Sequence, residues 1–201
     1  MLMNIIGHPT IDLPARRSFL ARTGAVTLSA AAIGLLANTR ALASKKHQGM
    51  STGGDVSILN VALGLEHEAI GAYQIGAESG LLQQPVLKTA VLFQSHHKQH
   101  ADTLIATIRK LGGSPVEAKQ LSDYATALKA DMLKNQTDVL QLAARLEKGA
   151  ANAYVGVLPS FQDPVLGQVA ARLATDESMH WIVLANALGE PVPQMALFIG
   201  S

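Results

Sequence analysis

The sequence predicts an all-α fold, a four-helix bundle of two helical hairpins joined by one long crossover. Three observations carry that prediction. From about residue 55 onward, apolar residues recur at three- and four-residue steps through Ala- and Leu-rich runs, without strand-like alternation. Helix-breaking residues at Gly80, Gly112-Gly113, Asp163-Pro164 and Gly189 cut this run into four long segments, with two short links and one long link. The two halves also repeat. Leu65-Glu66-His67-Glu68-Ala69-Ile70-Gly71-Ala72-Tyr73 lines up with Leu146-Glu147-Lys148-Gly149-Ala150-Ala151-Asn152-Ala153-Tyr154, and each is followed by an x-x-His triplet ending in His100 or His180.

Residues 1–43 read as a targeting segment outside the fold. Arg16-Arg17-Ser18-Phe19-Leu20 is a twin-arginine signature, followed by an apolar run from Thr23 to Ala37 and the small-x-small site Ala41-Leu42-Ala43. Cleavage is expected after Ala43, with export by the twin-arginine pathway to the periplasm. The apolar run is shorter than the roughly 20 residues that span a bilayer, so no stable membrane insertion is expected after cleavage. Residues 44–54 form a polar, Gly-containing leader, expected to be disordered.

The bundle domain is expected over residues 55–201. Its first helix runs from Asp55, a suitable N-cap, to Ser79, with Leu59, Leu63, Glu66, Ile70 and Tyr73 on one face. The second starts near Pro85, where proline suits the first turn, and ends at Gly112-Gly113. Its inner stripe includes Phe93, His97, His100, Leu104 and Ile108. The long link spans Ser114 to Gln136, and Leu121 to Leu133 is expected to form a short helix within it. The third helix covers Thr137 to Phe161, with Leu140, Ala144, Glu147, Ala151 and Tyr154 inward. The fourth opens at Asp163-Pro164 and runs to Leu188, with Leu173, Glu177, His180 and Leu184 on one stripe. The mildly apolar tail to Ser201 is expected to lie across the bundle.

Composition narrows the function classes. The whole chain carries a formal charge of +1 and no cysteine, which excludes disulfides, thiolate ligands and lipoprotein attachment. Residues 1–43 hold Arg16, Arg17, Arg22 and Arg40 against Asp12, so the mature part keeps 12 basic and 14 acidic residues, a net −2. No basic block remains to attract nucleic acid.

Six polar side chains interrupt otherwise apolar stripes: Glu66, His97, His100, Glu147, Glu177 and His180. A buried carboxylate costs several kcal/mol unless it is paired or coordinated. Three carboxylates aimed at one core are satisfied by a divalent cation, with imidazole nitrogens completing its coordination. The i, i+3 spacing of Glu177 and His180 lets one helix supply two ligands.

On these residues the chain resembles the ferritin-like superfamily of di-iron carboxylate proteins, especially small exported single-bundle members. The resemblance covers nearly all of residues 55 to 190. The family pattern is Glu on the first helix, Glu-x-x-His on the second, Glu on the third and Glu-x-x-His on the fourth. Glu66 and Glu147 match the lone glutamates, Glu177 and His180 the fourth-helix motif, and His100 the second-helix histidine. His97 departs from the pattern, standing where the family has a bridging glutamate. Neutral imidazole offers one nitrogen per metal and does not bridge as a carboxylate does. This substitution leaves open two asymmetrically bound metals, a single metal, manganese or zinc in place of iron, or a site that has lost its metal.

Among the flanking residues, His96 is expected at the surface, with an i, i+4 relation to His100 that suits a metal. His67 and Glu68 should face a neighbouring helix or solvent, and Glu68 becomes a ligand only if the register shifts. Tyr73 and Tyr154 are expected to pack with their hydroxyls bonded across the bundle, and Trp181 to pack. Asp102 and Asp176 stand where they can orient histidines. The resemblance implies a redox metalloprotein that meets dioxygen or peroxide, with oxidase or peroxidase-like activity in ferrous oxidation or peroxide removal during oxidative stress. The alternative is a metal-free bundle serving as a structural or binding module of the envelope. A monomer or homodimer is expected in either case.

Overall fold

The computed structural model describes residues 52–200; the expected signal segment and most of the leader lie outside the described residues. The four long helices are α1 (Thr52–Glu78), α2 (Gln84–Lys110), α4 (Gln136–Val157) and α5 (Pro164–Ala187), with a short α3 (Leu121–Ala127) in the crossover. No strand occurs among the described residues. As the sequence predicts, α1 pairs chiefly with α2 and α4 with α5, and α1 also meets α4 across the centre.

The helix ends follow local chemistry with three departures. First, α1 begins at Thr52, so Asp55 lies inside it and does not cap it. The Asp55 carboxylate is buried and instead accepts the backbone N–H groups of Gln162 at 2.9 Å and Asp163 at 3.2 Å. It thereby helps close the start of α5, whose own N-cap, Asp163, accepts from the Val165 N–H at 2.8 Å. Second, α4 ends at Val157 and continues as a 3-10 turn over Leu158–Ser160, because Pro159 has no N–H for the α-helical ladder. Third, the crossover helix stops at Ala127, and the left-handed Lys129 (φ 53°) separates it from a 3-10 turn at Ala130–Met132.

The crossover is tied along α1. Asn60 donates to the Ser114 carbonyl and accepts from the Val116 N–H, and His67 bonds the Val116 carbonyl at 3.2 Å. Tyr124 of α3 then lies directly on Gly71, where an added Cβ would sit 2.7 Å from the Tyr124 ring. Any side chain at that position would force Tyr124 to shift. The C-terminal tail crosses α4 and α5, as expected: Phe198 stacks on Trp181 at 5.2 Å, and the Gly200 N–H donates to Asn152.

Two apolar clusters fill the bundle. One holds Leu59, Leu63, Leu104, Ile108 and Leu173; the other holds Tyr73, Phe93, Leu140 and Leu184. On every long helix the six polar residues fall between these two clusters. The apolar layers therefore wall the polar ones from solvent above and below.

Candidate metal centre

All six candidate residues converge in that middle layer. Glu66 comes from α1, His97 and His100 from α2, Glu147 from α4, and Glu177 and His180 from α5. Every one is buried, and Glu177 is 0 % exposed. Their placement follows from helical periodicity, since each occupies a position where its stripe is otherwise apolar.

Two overlapping groups of four residues bring ligand atoms within 4.8 Å of one another: Glu66, His97, His100 and Glu177, and His97, Glu147, Glu177 and His180. Glu177 and His97 belong to both. His100 Nδ1 lies 3.5 Å from Glu66 Oε2 and 3.3 Å from Glu177 Oε1. His180 Nδ1 lies 3.3 Å from both Glu147 Oε2 and Glu177 Oε2. The arrangement has an approximate twofold character, with Glu177 between the two positions.

His97 sits opposite Glu177. Its Nδ1–H donates to Glu66 at 2.8 Å and its Nε2–H to Glu147 at 3.1 Å. Burial opposes charge on this ring, but Glu147 and Glu66 outweigh it and hold His97 up at about 11. His97 thus joins the two halves as a cation between two anions, which a glutamate there could not do.

The neighbouring groups respond to the same balance. Burial pushes the Glu66 and Glu147 carboxyls up, yet the histidines on them (His100 and His97 on Glu66, His180 and His97 on Glu147) hold both below the usual carboxylate range. His100 is raised to about 10 against burial by Glu177 and Glu66. Glu177 goes the other way, raised to about 7 mainly by burial, with Glu147 and Glu66 adding to the rise against His100 and His180.

Outside the six, His100 and His180 each have an outer partner supplied by the helix opposite. His100 Nε2 donates to Asp176 of α5 at 3.2 Å. His180 Nε2 meets Nδ1 of His96, on α2, at 3.0 Å, and the two rings stack at 5.2 Å. His96 is therefore half-buried against His180 and is not the surface imidazole that the sequence predicts. Asp176 orients a histidine as anticipated, while Asp102 is exposed. Neither His67 nor Glu68 enters the centre; burial raises Glu68, partly offset by Lys119. The tyrosine hydroxyls bond across the bundle as expected: Tyr73 donates to Glu147 and Tyr154 to Glu66.

The donor set fits a divalent transition metal. Both Glu177 oxygens and His100 Nδ1 are buried without an aligned hydrogen bond, although oppositely charged atoms stand 3.3 Å away. Buried polar atoms left in that condition are costly, and mixed carboxylate and imidazole ligands suit iron, manganese or zinc.

Comparison with known proteins agrees with this fold. The family model described as "Ferritin-like domain" matches residues 54–190. The crystal structure of a conserved hypothetical protein from Mycobacterium tuberculosis superposes with a TM-score of 0.59 at 23% identity, covering 74% of this chain and 99% of that one. At that identity the likeness speaks for the fold alone. No curated protein matches the chain.

Proposed function

The chain belongs to the ferritin-like domain family, and from that premise we propose that it is an exported redox metalloprotein. Its buried centre holds iron or manganese and serves ferrous oxidation or peroxide removal. The observation that carries this reading is the pair of orphaned Glu177 oxygens lying between His100 with Glu66 on one side and His180 with Glu147 on the other. Glu66, His100 and Glu177 would hold one metal, and Glu147, His180 and Glu177 a second, with His97 between them. A bound iron or manganese supplies one-electron chemistry with dioxygen or peroxide. The chain's own part is to hold the ligands, exclude water through the two apolar layers, and keep a proton on each tyrosine at Glu66 and Glu147.

Protein folded in its native cytoplasm and analysed for bound metal tests the proposal. Stoichiometric transition metal, lost in Glu177→Ala and His180→Ala, is the expected result. Protein that stays metal-free after iron reconstitution ends it. Export rests on Arg16-Arg17 and Ala41-Leu42-Ala43, which support cleavage after Ala43. Exchanging both arginines for lysine should retain the chain uncleaved in the cytoplasm.

His97 favours a second reading, a metal-free module of the envelope, because its two N–H groups already pair Glu66 with Glu147. A metal bound only by the folded state raises the melting temperature. A melt unchanged by verified metal removal supports the module.

A further inference from the structure

Next to Tyr73, at the end of the bundle where α1 turns into α2, lies a cavity of about 80 Å³. It exists because all four long helices present small residues at one level: Ala72 and Gly76 from α1, Ala90 from α2, Ala143 from α4 and Ala187 from α5. In the repeat, Gly76 stands where the other half has Val157. Space of this size exceeds what one water needs, but an ordered water also requires two to four polar partners. The cavity's lining is almost wholly apolar, and its two hydroxyls are already committed. Tyr73 donates to Glu147, and Thr89 donates to the Pro85 carbonyl at 3.3 Å. Val183, 46 % exposed, lies on its wall and marks the side toward solvent.

We propose that this cavity is a binding site for a small apolar molecule, a few non-hydrogen atoms in size and without hydrogen-bonding groups. The Tyr73 ring is the partition between that site and the polar centre, since it lines the cavity on one side and stacks on His97 at 5.4 Å on the other. A molecule seated there is one aromatic ring away from Glu147 and His97. The proposal does not depend on which metal the centre holds, or on its holding one.

Xenon is the probe. In the full-length chain, xenon should shift the methyl resonances of Leu140 and Leu184 in a saturable way, equally with and without added iron. Ala143→Leu and Ala187→Leu each fill the cavity from a different helix. Either variant that remains folded by circular dichroism should lose the saturable shifts. Non-saturating shifts in the natural chain overturn the proposal, and so do saturable shifts that persist in a folded filled variant.

Discussion

Tyr154, on α4, donates its hydroxyl proton to Glu66 on α1, and the bond lies wholly inside the bundle. Tyr73 on α1 returns the same bond to Glu147 on α4. Each half of the repeat therefore satisfies the other half's lone glutamate. Burial and the Glu66 charge raise the Tyr154 phenol well above its ordinary value, so it acts as a donor at every physiological pH. Tyr154→Phe keeps the ring and removes one hydrogen bond to a buried carboxylate. A loss of about 1.5–3 kcal/mol is expected, the range for hydrogen bonds to charged groups. Urea unfolding of metal-free protein measures it, and an unchanged midpoint would mean that His97 and His100 satisfy Glu66 without the Tyr154 hydroxyl.

His97→Glu restores the family's fourth carboxylate, and it should act in opposite directions with and without metal. Metal-free, it removes the cation between Glu66 and Glu147 and adds an anion. Breaking a buried pair in this way costs about 3–5 kcal/mol. At limiting iron, the variant should hold more metal than the natural chain does. Metal analysis beside thermal melts reads both arms; a variant that is destabilised without gaining metal would show that His97 is not what limits occupancy.

Stability of the metal-free chain should fall as pH rises. His97 at about 11 and His100 at about 10 lie above the unfolded value near 6.5, so their contribution is complete below that value and is lost toward alkaline pH. Glu177, raised to about 7, works in the same direction between about 4.5 and 7, because folding favours its protonated form. Glu66 and Glu147, both lowered, contribute above about 4.5 and lose that contribution in acid. A maximum in the mildly acid range follows. Metal binding needs deprotonated histidines and carboxylates, so the melting-temperature gap between loaded and metal-free protein should widen from pH 6 to pH 9. A constant gap would contradict this balance of charges.

The six central residues were legible in the sequence because a charged or imidazole side chain on an apolar stripe has few physical explanations. Helix order and the long crossover were equally legible from glycine and proline punctuation. Asp55 was misplaced because an N-cap signal is local, whereas its actual partners, the N–H groups of Gln162 and Asp163, lie on a distant segment. The cavity was invisible because alanines on four separate helices mark a void only once the helices are in register. The role of His96 had a usable signal. Extending the aligned triplets by one residue pairs His96 with Asp176, and those two positions are the outer partners of His180 and His100.

That pairing makes the two halves unequal beyond His97. Asp176 places a carboxylate behind His100, a partner that makes an imidazole a stronger donor to metal. His96 places a second imidazole behind His180, and burial together with His180 lowers its own affinity for a proton. The metal position built on Glu66 and His100 should therefore bind more tightly than the one built on Glu147 and His180. His96→Asp gives His180 the same kind of partner that His100 has and should tighten the weaker position, while Asp176→Asn should loosen the stronger one. Removing such a partner typically costs 10–100-fold in metal affinity. Competition titration against a chromophoric chelator resolves the two steps. The asymmetry is refuted if both substitutions leave the ratio of the two binding constants where it was.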